Sequence, residues 1–364
     1  MRANRVERLG TRSNLKSLTA GRGVAALLVA VHHSTTIWGG FFAALGSVGW
    51  LGVTYFYVLS GFVLTWAFRP DRTNKEFFIN RFARIYPLHL ATLGASLGAF
   101  LIVGRPLGGY VGTWIGTVAS IFLVQGWIPG HPNIRQAWNG VAWSLSVEAF
   151  FYLLSPWLIR GLSRISTWKL FELCLLLYVV YLVTGVFAFQ RQIGWLSDFL
   201  QYNPLARLPE FIYGIVAAIT FLRGVRVEMS MGSKYLLLLP AAVYYAGTHH
   251  DVNPVVMITL IVPVCLTFIL AGATRDIERV ASHVFDRALR KVGEASYSMY
   301  MTHALLLGLM SGTLHRLHVH WPPSLKVIVF LALSLLLSLA VYNWFELPAR
   351  RWVLRRAGGQ AAPA

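Results

Sequence analysis

The chain has 364 residues, of which 56% are hydrophobic and only 13% are charged. Soluble domains carry about 25% charged residues, so the composition excludes an ordinary soluble protein and indicates an integral membrane protein. The formal net charge of +18 would suit a nucleic-acid partner, but basic loops that face anionic lipid headgroups explain it better in a membrane chain. Cys174 and Cys265 lie in apolar stretches without metal-ligand spacing, so we expect neither a metal site nor redox chemistry.

Long apolar stretches alternate with short basic loops, which predicts an all-α polytopic membrane bundle rather than a β-barrel. The positive-inside rule places the basic segments and both termini in the cytoplasm, which requires an even number of crossings. The basic segments are the loops 69–84, 160–169, 223–234 and 275–291 and the tail 350–356. Ten membrane-spanning helices are predicted: 17–38, 48–67, 85–103, 140–159, 170–189, 205–222, 235–250, 254–272, 293–314 and 324–345.

Three stretches are expected not to cross the membrane. The segment 113–127 is apolar but short and is bordered by glycines, which predicts an interfacial or re-entrant position. Residues 1–16 are basic and polar, with no small-residue cleavage site after the first apolar run, and they predict a cytoplasmic tail before a retained helix. The membrane domain is thus expected at residues 17–349, followed by a second basic cytoplasmic tail at 350–364.

The first predicted helix carries two residues that are costly in hydrocarbon, Arg22 and His33. Eleven positions make about three helical turns, so both side chains share one face and lie about 16 Å apart along the axis. A neutral His33 can accept a proton from a hydroxyl, although a hydrogen-bonded core histidine is the alternative. The adjacent His32 points about 100° away and is expected to be structural.

The stretch 80–89 contains Arg81 and Arg84, which are three residues apart. On a helical turn the two guanidinium groups face the same way and can hold a phosphate together. Pro87 is expected to end or kink this turn just where the next span begins. The alternative is an ordinary positive-inside anchor, because two arginines at this spacing are a weak signal.

A carboxylate, Glu148, lies inside the fourth predicted span, where it needs a cation, a polar cavity or a proton. It is a candidate to orient a histidine or to pair with Arg22, and a structural ion pair is the alternative. Ser144 and Ser146 precede it without the sequence context of a serine nucleophile, so helix–helix hydrogen bonds are their expected role.

Two further groups of residues are candidates to line a channel. Ser60 and Gly61 permit a close backbone approach beside a thin ligand chain, or they serve helix packing. Tyr297, Tyr300 and His303 fall close to one helical stripe and are candidates for a polar cavity. Near the C-terminus, Glu346 and Arg350 have the four-residue spacing of a local ion pair.

Taken in order, these segments resemble the acyltransferase 3 family of membrane O-acyltransferases, of the bacterial polysaccharide O-acetyltransferase type. Six matching motifs cover the chain from about residue 15 to 352. In one departure, Thr19 stands where many members have an aspartate before the arginine. The motifs are Arg22-x10-His33, residues 56–64 with Leu-Ser-Gly-Phe, Arg81-Phe-Ala-Arg84-Ile-Tyr-Pro, Trp143-Ser-Leu-Ser-Val-Glu148, Ser296-Tyr-Ser-Met-Tyr300 with His303, and Glu346-Leu-Pro-Ala-Arg-Arg351.

The resemblance implies transfer of an acyl group, commonly acetyl, from cytoplasmic acetyl-CoA as co-substrate to a carbohydrate hydroxyl, without a metal. Arg81 and Arg84 would bind CoA phosphates, and Arg22 would contact CoA or position the thioester carbonyl. His33 would be the base that activates the acceptor hydroxyl, or an acyl carrier. Glu148 would support the histidine or the polar lining of the channel. The remaining channel candidates are Ser60, Gly61, Ser146, Tyr297, Tyr300 and His303.

The resemblance also implies a multi-pass protein of the bacterial cytoplasmic (inner) membrane, surrounded by membrane lipids. Its acceptor would be a carbohydrate or a lipid-linked oligosaccharide, with exopolysaccharide or its repeat unit favoured, and other polysaccharide biosynthesis proteins are candidate partners. Without a fused hydrolase-like domain, the chain is expected to finish the transfer itself or to hand the acyl group to another protein. Two alternatives stay open: a transporter or flippase of lipid-linked sugars, and a membrane scaffold.

Overall fold

The computed structural model describes residues 15–71, 73–226, 238–247, 252–278 and 284–358. This part of the chain is all-α, and two isolated bridges link Gly108 with Asn139 and Tyr110 with Ala137. The chain also contains a short 3-10 helix at Gln125–Trp127 and a π-helical turn at Tyr342–Glu346. The α-helices are α1 (Lys16–Trp38), α2 (Ala43–Gly49), α3 (Gly52–Trp66), α4 (Asn74–Val103), α5 (Trp114–Ile121), α6 (Pro132–Arg135), α7 (Trp143–Ser163), α8 (Thr167–Gln190), α9 (Gly194–Tyr202), α10 (Pro204–Leu222), α11 (Leu239–Gly247), α12 (Pro254–Ile277), α13 (Val284–Glu294), α14 (Ser296–Arg316), α15 (Pro323–Val341) and α16 (Leu347–Arg356).

Five helical stretches of the described chain are long and apolar enough to cross a membrane: 74–102, 167–190, 194–222, 254–277 and 323–356. The pair α2 and α3, bent by 41°, would add a sixth if it counts as one span. Large apolar side chains of α8, such as Leu175, Leu176 and Val183, are at least 60% exposed, as expected of a surface that faces lipid. This is the architecture of a multi-pass membrane protein. The number of ten spans and the location of both termini stay predictions.

Each predicted span that lies within the described residues coincides with a helix, and the boundaries differ by a few residues. The largest difference concerns α4, which begins at Asn74 and continues through Pro87 to Val103. Thr73 caps this helix because its hydroxyl accepts a hydrogen bond from the backbone N–H of Glu76 at 3.2 Å. Pro87 therefore does not end the turn, and most of the predicted basic loop 69–84 is helical.

The segment 113–127 forms the eight-residue helix α5 and a 3-10 turn. Eight residues rise about 12 Å, which is far less than the ~30 Å of a bilayer core. Trp114 and Phe122 are 78% and 68% exposed, so α5 places large apolar side chains outside the bundle. Its short length agrees with the expectation that this segment is not a transmembrane helix, and its depth in the membrane stays a prediction.

Some predicted segments lie partly outside the described residues. These are positions 1–14 of the N-terminal tail, positions 72, 227–234 and 279–283 of three basic loops, and 359–364 of the C-terminal tail. The predicted span 235–250 is described only at 238–247, where it contains α11.

Helices α3 and α10 run side by side in the same direction and touch through their backbones. Thr54 contacts Arg207 at one end of the pair, and the Trp66 ring lies 6.1 Å from the Phe221 ring at the other. Between these contacts, a Cβ added to Gly214 would lie 1.9 Å from the carbonyl oxygen of Val58. Only glycine permits this approach. The two helices are therefore in direct main-chain contact, and they form one side of the bundle core.

Candidate active site

A cavity of about 490 Å³ lies between α1, α3, α4, α7, α14 and α16. Among the described residues, five arginines line it, and Glu148 is the one carboxylate in the lining. We call this cavity the arginine pocket. Its arginines are Arg22, Arg69, Arg81, Arg84 and Arg350.

The side chain of Arg81 is held by aromatic rings. Its guanidinium carbon lies 5.8 Å from the centre of the Phe77 ring and 5.7 Å from the centre of the Tyr152 ring, close enough for cation–π attraction. Its Nε is buried without a hydrogen-bond partner in the described structure, as is Oδ1 of the neighbouring Asn80. A cation that is held by rings keeps its hydrogen-bond donors available for an anionic ligand.

Glu148 joins the arginine pocket instead of lying beside His33. Its carboxylate accepts a hydrogen bond from the hydroxyl of Tyr152, one helical turn further along α7. Arg22 is attracted electrostatically by Glu148 and Glu346 and is repelled by Arg84, but it forms no ion pair within 4 Å in the described part of the chain. Glu148 therefore lines the pocket, which does not include His33, and its role as polar lining or as support of the histidine stays a prediction.

The C-terminal motif also contributes to the pocket. The π-helical turn Tyr342–Glu346 widens the helix just before α16, and the Glu346 carboxylate accepts a hydrogen bond from the Ser298 hydroxyl at 2.5 Å. Within the described residues, Glu346 forms no ion pair with Arg350 within 4 Å, so the expected local pair is not present. Arg350 instead lines the arginine pocket.

Two aromatic side chains of the pocket lining, Phe56 and Tyr300, contact each other. The Phe56 and Tyr300 rings meet edge to face at 6.2 Å. The Tyr300 hydroxyl accepts a hydrogen bond from the Ser144 hydroxyl at 2.8 Å and donates to the Val141 carbonyl at 3.2 Å. These bonds fix Tyr300 at the boundary of the cavity. They also show that Ser144 makes an interhelical hydrogen bond, as expected.

His33 is not part of the pocket lining, and side-chain contacts connect it to Tyr300 of the lining through His303. The Tyr300 and His303 rings are 5.8 Å apart, and the His303 and His33 rings are 5.0 Å apart. Nδ1 of His33 lies 2.9 Å from the Val29 carbonyl oxygen and 3.2 Å from Nε2 of His303. His32 is bonded instead to the Gly46 carbonyl at 2.7 Å, in agreement with its predicted structural role.

The other channel candidates separate into two groups. Ser60, Tyr297 and Tyr300 line the arginine pocket. Gly61 does not, because its Cα faces α10, where an added Cβ would lie 2.1 Å from the Phe211 carbonyl oxygen. Ser146 does not either, because it is buried and its hydroxyl accepts the N–H of Gly126 at 3.2 Å.

Sequence reasoning missed a buried ion pair between Arg207 and Glu210, in which Nε and Oε2 lie 2.7 Å apart and both side chains are 3% exposed. Arg207 also donates to the Thr54 hydroxyl at 3.2 Å, and its guanidinium carbon lies 5.1 Å from the centre of the Tyr57 ring. Tyr57 lines the arginine pocket, so this pair supports the pocket wall from behind. Two opposite charges three residues apart within a predicted span were the available signal.

Anionic groups are the ligands that suit this arrangement. Guanidinium groups bind phosphates through several strong hydrogen bonds, and most of the other side chains in the pocket lining are aromatic or apolar. No group of three or more histidine, cysteine or acidic residues that could hold a metal is present in the described ranges.

The chain is similar in sequence to proteins that are named as acyltransferases. The acyltransferase MdmB of Streptomyces mycarofaciens is 32% identical over 96% of this chain and 95% of its own length. The putative acetyltransferase ORF330 of Acidianus two-tailed virus is 25% identical over 78% of this chain and 81% of its own length. The O-acetyltransferase OatA of Staphylococcus aureus is 24% identical over 95% of this chain, which spans 59% of OatA.

No solved structure matches the chain. The sequence profile of the acyltransferase 3 family, described as an acyltransferase domain, matches residues 15–343. This match covers nearly all of the described bundle, including every arginine of the pocket except Arg350. The chain therefore belongs to the acyltransferase 3 family.

Proposed function

We propose that this protein transfers an acetyl group from cytoplasmic acetyl-CoA to a hydroxyl of a carbohydrate, with an exopolysaccharide or its lipid-linked repeat unit as acceptor, in the bacterial cytoplasmic membrane. The observation that supports this most is that two groups of residues are neighbours. An arginine-lined pocket suits the phosphates of CoA, and the histidine pair His33 and His303 is connected to its lining through Tyr300. Relatives with acyltransferase and O-acetyltransferase names support the same reaction class.

Donor binding in this proposal begins at the arginines. Arg81 and Arg84 bind the CoA phosphates, and the slender pantetheine arm extends along α3 and α14 toward Tyr300. Arg22, which lies deeper than the first turn of α1, contacts the donor and positions the thioester carbonyl. Glu148 and Tyr152 form a polar part of the lining, where the carboxylate offsets some of the repulsion between the arginines.

Transfer then uses His33 as the general base. The acceptor hydroxyl loses its proton to the imidazole as its oxygen attacks the thioester carbonyl, and the carbon–sulfur bond breaks to release CoA as a thiolate. The thiolate takes the proton from the His33 imidazolium, so the products are the O-acetylated acceptor and CoA, and His33 is neutral again. A positioned general base of this kind contributes about 10²–10⁴-fold to a rate.

The test measures radiolabel transfer from acetyl-CoA in membrane vesicles of a strain that lacks the protein and is complemented with defined variants. The wild-type protein is expected to label the polysaccharide and lipid-linked fractions, and His33→Ala to lose at least about 100-fold of that activity. His320→Ala is the matched control, because His320 is exposed and outside the site. Full labelling by His33→Ala would exclude the proposed mechanism. Acceptor movement without consumption of acetyl-CoA would indicate a transporter instead.

A further inference from the structure

The imidazole of His303 is held by two backbone carbonyls within its own helix. Its Nδ1 lies 2.8 Å from the Tyr300 carbonyl oxygen and 3.1 Å from the Met299 carbonyl oxygen, and the side chain is 1% exposed. A carbonyl oxygen only accepts hydrogen bonds, so Nδ1 carries the ring proton in neutral His303. Its Nε2 is therefore an unprotonated acceptor, and this is the atom that faces His33.

The same reasoning fixes the protonation of His33. Its Nδ1 faces two acceptors, the Val29 carbonyl oxygen at 2.9 Å and Nε2 of His303 at 3.2 Å. Nδ1 of His33 must then carry the hydrogen, and the lone pair of the neutral ring is on Nε2. In a histidine the hydrogen bond of one ring nitrogen decides what the other can do.

We propose that His303 is the positioning residue of His33: it holds the ring as the Nδ1–H tautomer, so that Nε2 is the atom that receives the acceptor proton. This inference rests on the proposed function. When Nε2 takes a proton, the Nδ1–H···Nε2 bond to His303 strengthens, because its donor has become cationic. A neutral imidazole thus performs the orienting task for which Glu148 was a candidate.

Two substitutions of similar size separate hydrogen-bond acceptance from packing. The Oε1 of His303→Gln can replace Nε2 as an acceptor, whereas His303→Met fills the space without a comparable acceptor. We expect His303→Met to lose about 10-fold or more in kcat, with the KM for acetyl-CoA unchanged, and His303→Gln to keep most of the activity. His32→Asn is the matched control, because its side chain can preserve the bond to Gly46 while the neighbouring histidine is removed.

These variants distinguish a positioning role of His303 from a merely structural one. Equal loss in the Met and Gln variants, equal retention in both, or a change in KM that accounts for the loss would each overturn the proposal. Nitrogen-15 NMR of histidine-labelled wild-type protein in detergent tests it without relying on the folding of a variant. We expect Nε2 of His33, assigned with His33→Gln, to be the unprotonated nitrogen; a proton on Nε2 instead of Nδ1 would overturn the proposal.

The same measurements separate this inference from the function on which it rests. If wild-type membranes transfer no acetyl group from acetyl-CoA, the proposed function fails, whatever the tautomer of His33. If His33→Ala abolishes transfer while His303→Met retains it, only the role of His303 fails.

Discussion

Arg22 and His33 belong to one helix and are eleven residues apart, but only Arg22 reaches the arginine pocket. Phe56 and Tyr300 line that pocket and contact each other, and Tyr300 contacts His303, which in turn contacts His33. The conformation described here thus separates the cation from the base by two side chains, Tyr300 and His303. In the proposed function, we expect the acyl group to pass Tyr300 on its way from Arg22 to His33.

Phe56 of the pocket lining gives a prediction about the length of the acyl chain. Phe56→Ala removes a ring from this lining, close to where the proposed function places the acyl group. We expect the ratio of kcat/KM for hexanoyl-CoA over acetyl-CoA to rise about 10-fold or more, because each methylene that an apolar pocket accommodates changes discrimination by about 1–3 kcal/mol. Acyl transfer in membranes with the two donors measures this ratio.

The control for this experiment is Phe122→Ala. Phe122 is 68% exposed and lies at the end of α5, outside the pocket lining. Its truncation should leave the ratio unchanged. An unchanged ratio in Phe56→Ala as well would mean that this ring does not limit the acyl chain.

A second prediction concerns the phosphates of the donor. Arg84→Gln should raise the KM for acetyl-CoA about 10-fold or more, because a charged hydrogen bond contributes about 1.5–3 kcal/mol. Acetyl-pantetheine has no nucleotide phosphates, so its KM should not change. Steady-state kinetics with both donors would separate phosphate binding from a general distortion of the pocket. Arg164→Gln, at an exposed arginine outside the pocket, is the matched control.

The helices were predictable because their apolar runs are long. The residues that cap them are also next to them in the sequence. Asn203 and Asn253 cap α10 and α12, and a proline follows each at the first helical position. The start of α4 was predicted about ten residues too late, because the charges of residues 74–84 suggested a loop. Lys75 and Glu76 are exposed, but Arg81 and Arg84 face a polar cavity inside the protein, which a pattern of hydropathy alone does not reveal.

The candidate site was predicted as a set of residue types, not as a set of contacts. Arg22, Arg81, Arg84 and Glu148 line one pocket, and their binding and catalytic roles stay predictions. The pairing of His33 with His303 joins residues 270 positions apart, and no local spacing encodes it. The same holds for Phe56 against Tyr300, since rings on different helices meet only through the packing of the bundle.

A larger side chain at the glycine contact between α3 and α10 should lower the stability of the protein. Gly214→Ala places a Cβ against the Val58 carbonyl and should destabilise the protein by about 1–3 kcal/mol. The thermal unfolding midpoint of the detergent-solubilised protein should fall accordingly. Gly94→Ala is the control: a Cβ there has no neighbour within 4 Å, and alanine favours the helical conformation. A midpoint for Gly214→Ala as high as that of Gly94→Ala would contradict the close contact.

Substitutions at the buried pair of Arg207 and Glu210 should have effects on the free energy of unfolding that do not add up. Arg207→Met leaves the carboxylate without its cation and should cost about 3–5 kcal/mol. Adding Glu210→Gln removes the orphaned charge, so the double variant should be more stable than Arg207→Met alone. Unfolding midpoints of the two single variants and the double variant measure this coupling, and strictly additive losses would contradict it.

The backbone contact between α3 and α10 determines which part of the molecule can move. Where two main chains touch without an intervening side chain, no rotamer can change to make room. One wall of the arginine pocket is therefore stiff. Tyr300 of α14 also lines the pocket, but its ring is held through the side-chain hydroxyl, by Ser144 and the Val141 carbonyl. Two hydrogen bonds can break and a ring can rotate, whereas a main-chain contact cannot adapt in this way. The pocket is therefore expected to adjust to donors of different size at Tyr300, while the side formed by α3 keeps its shape.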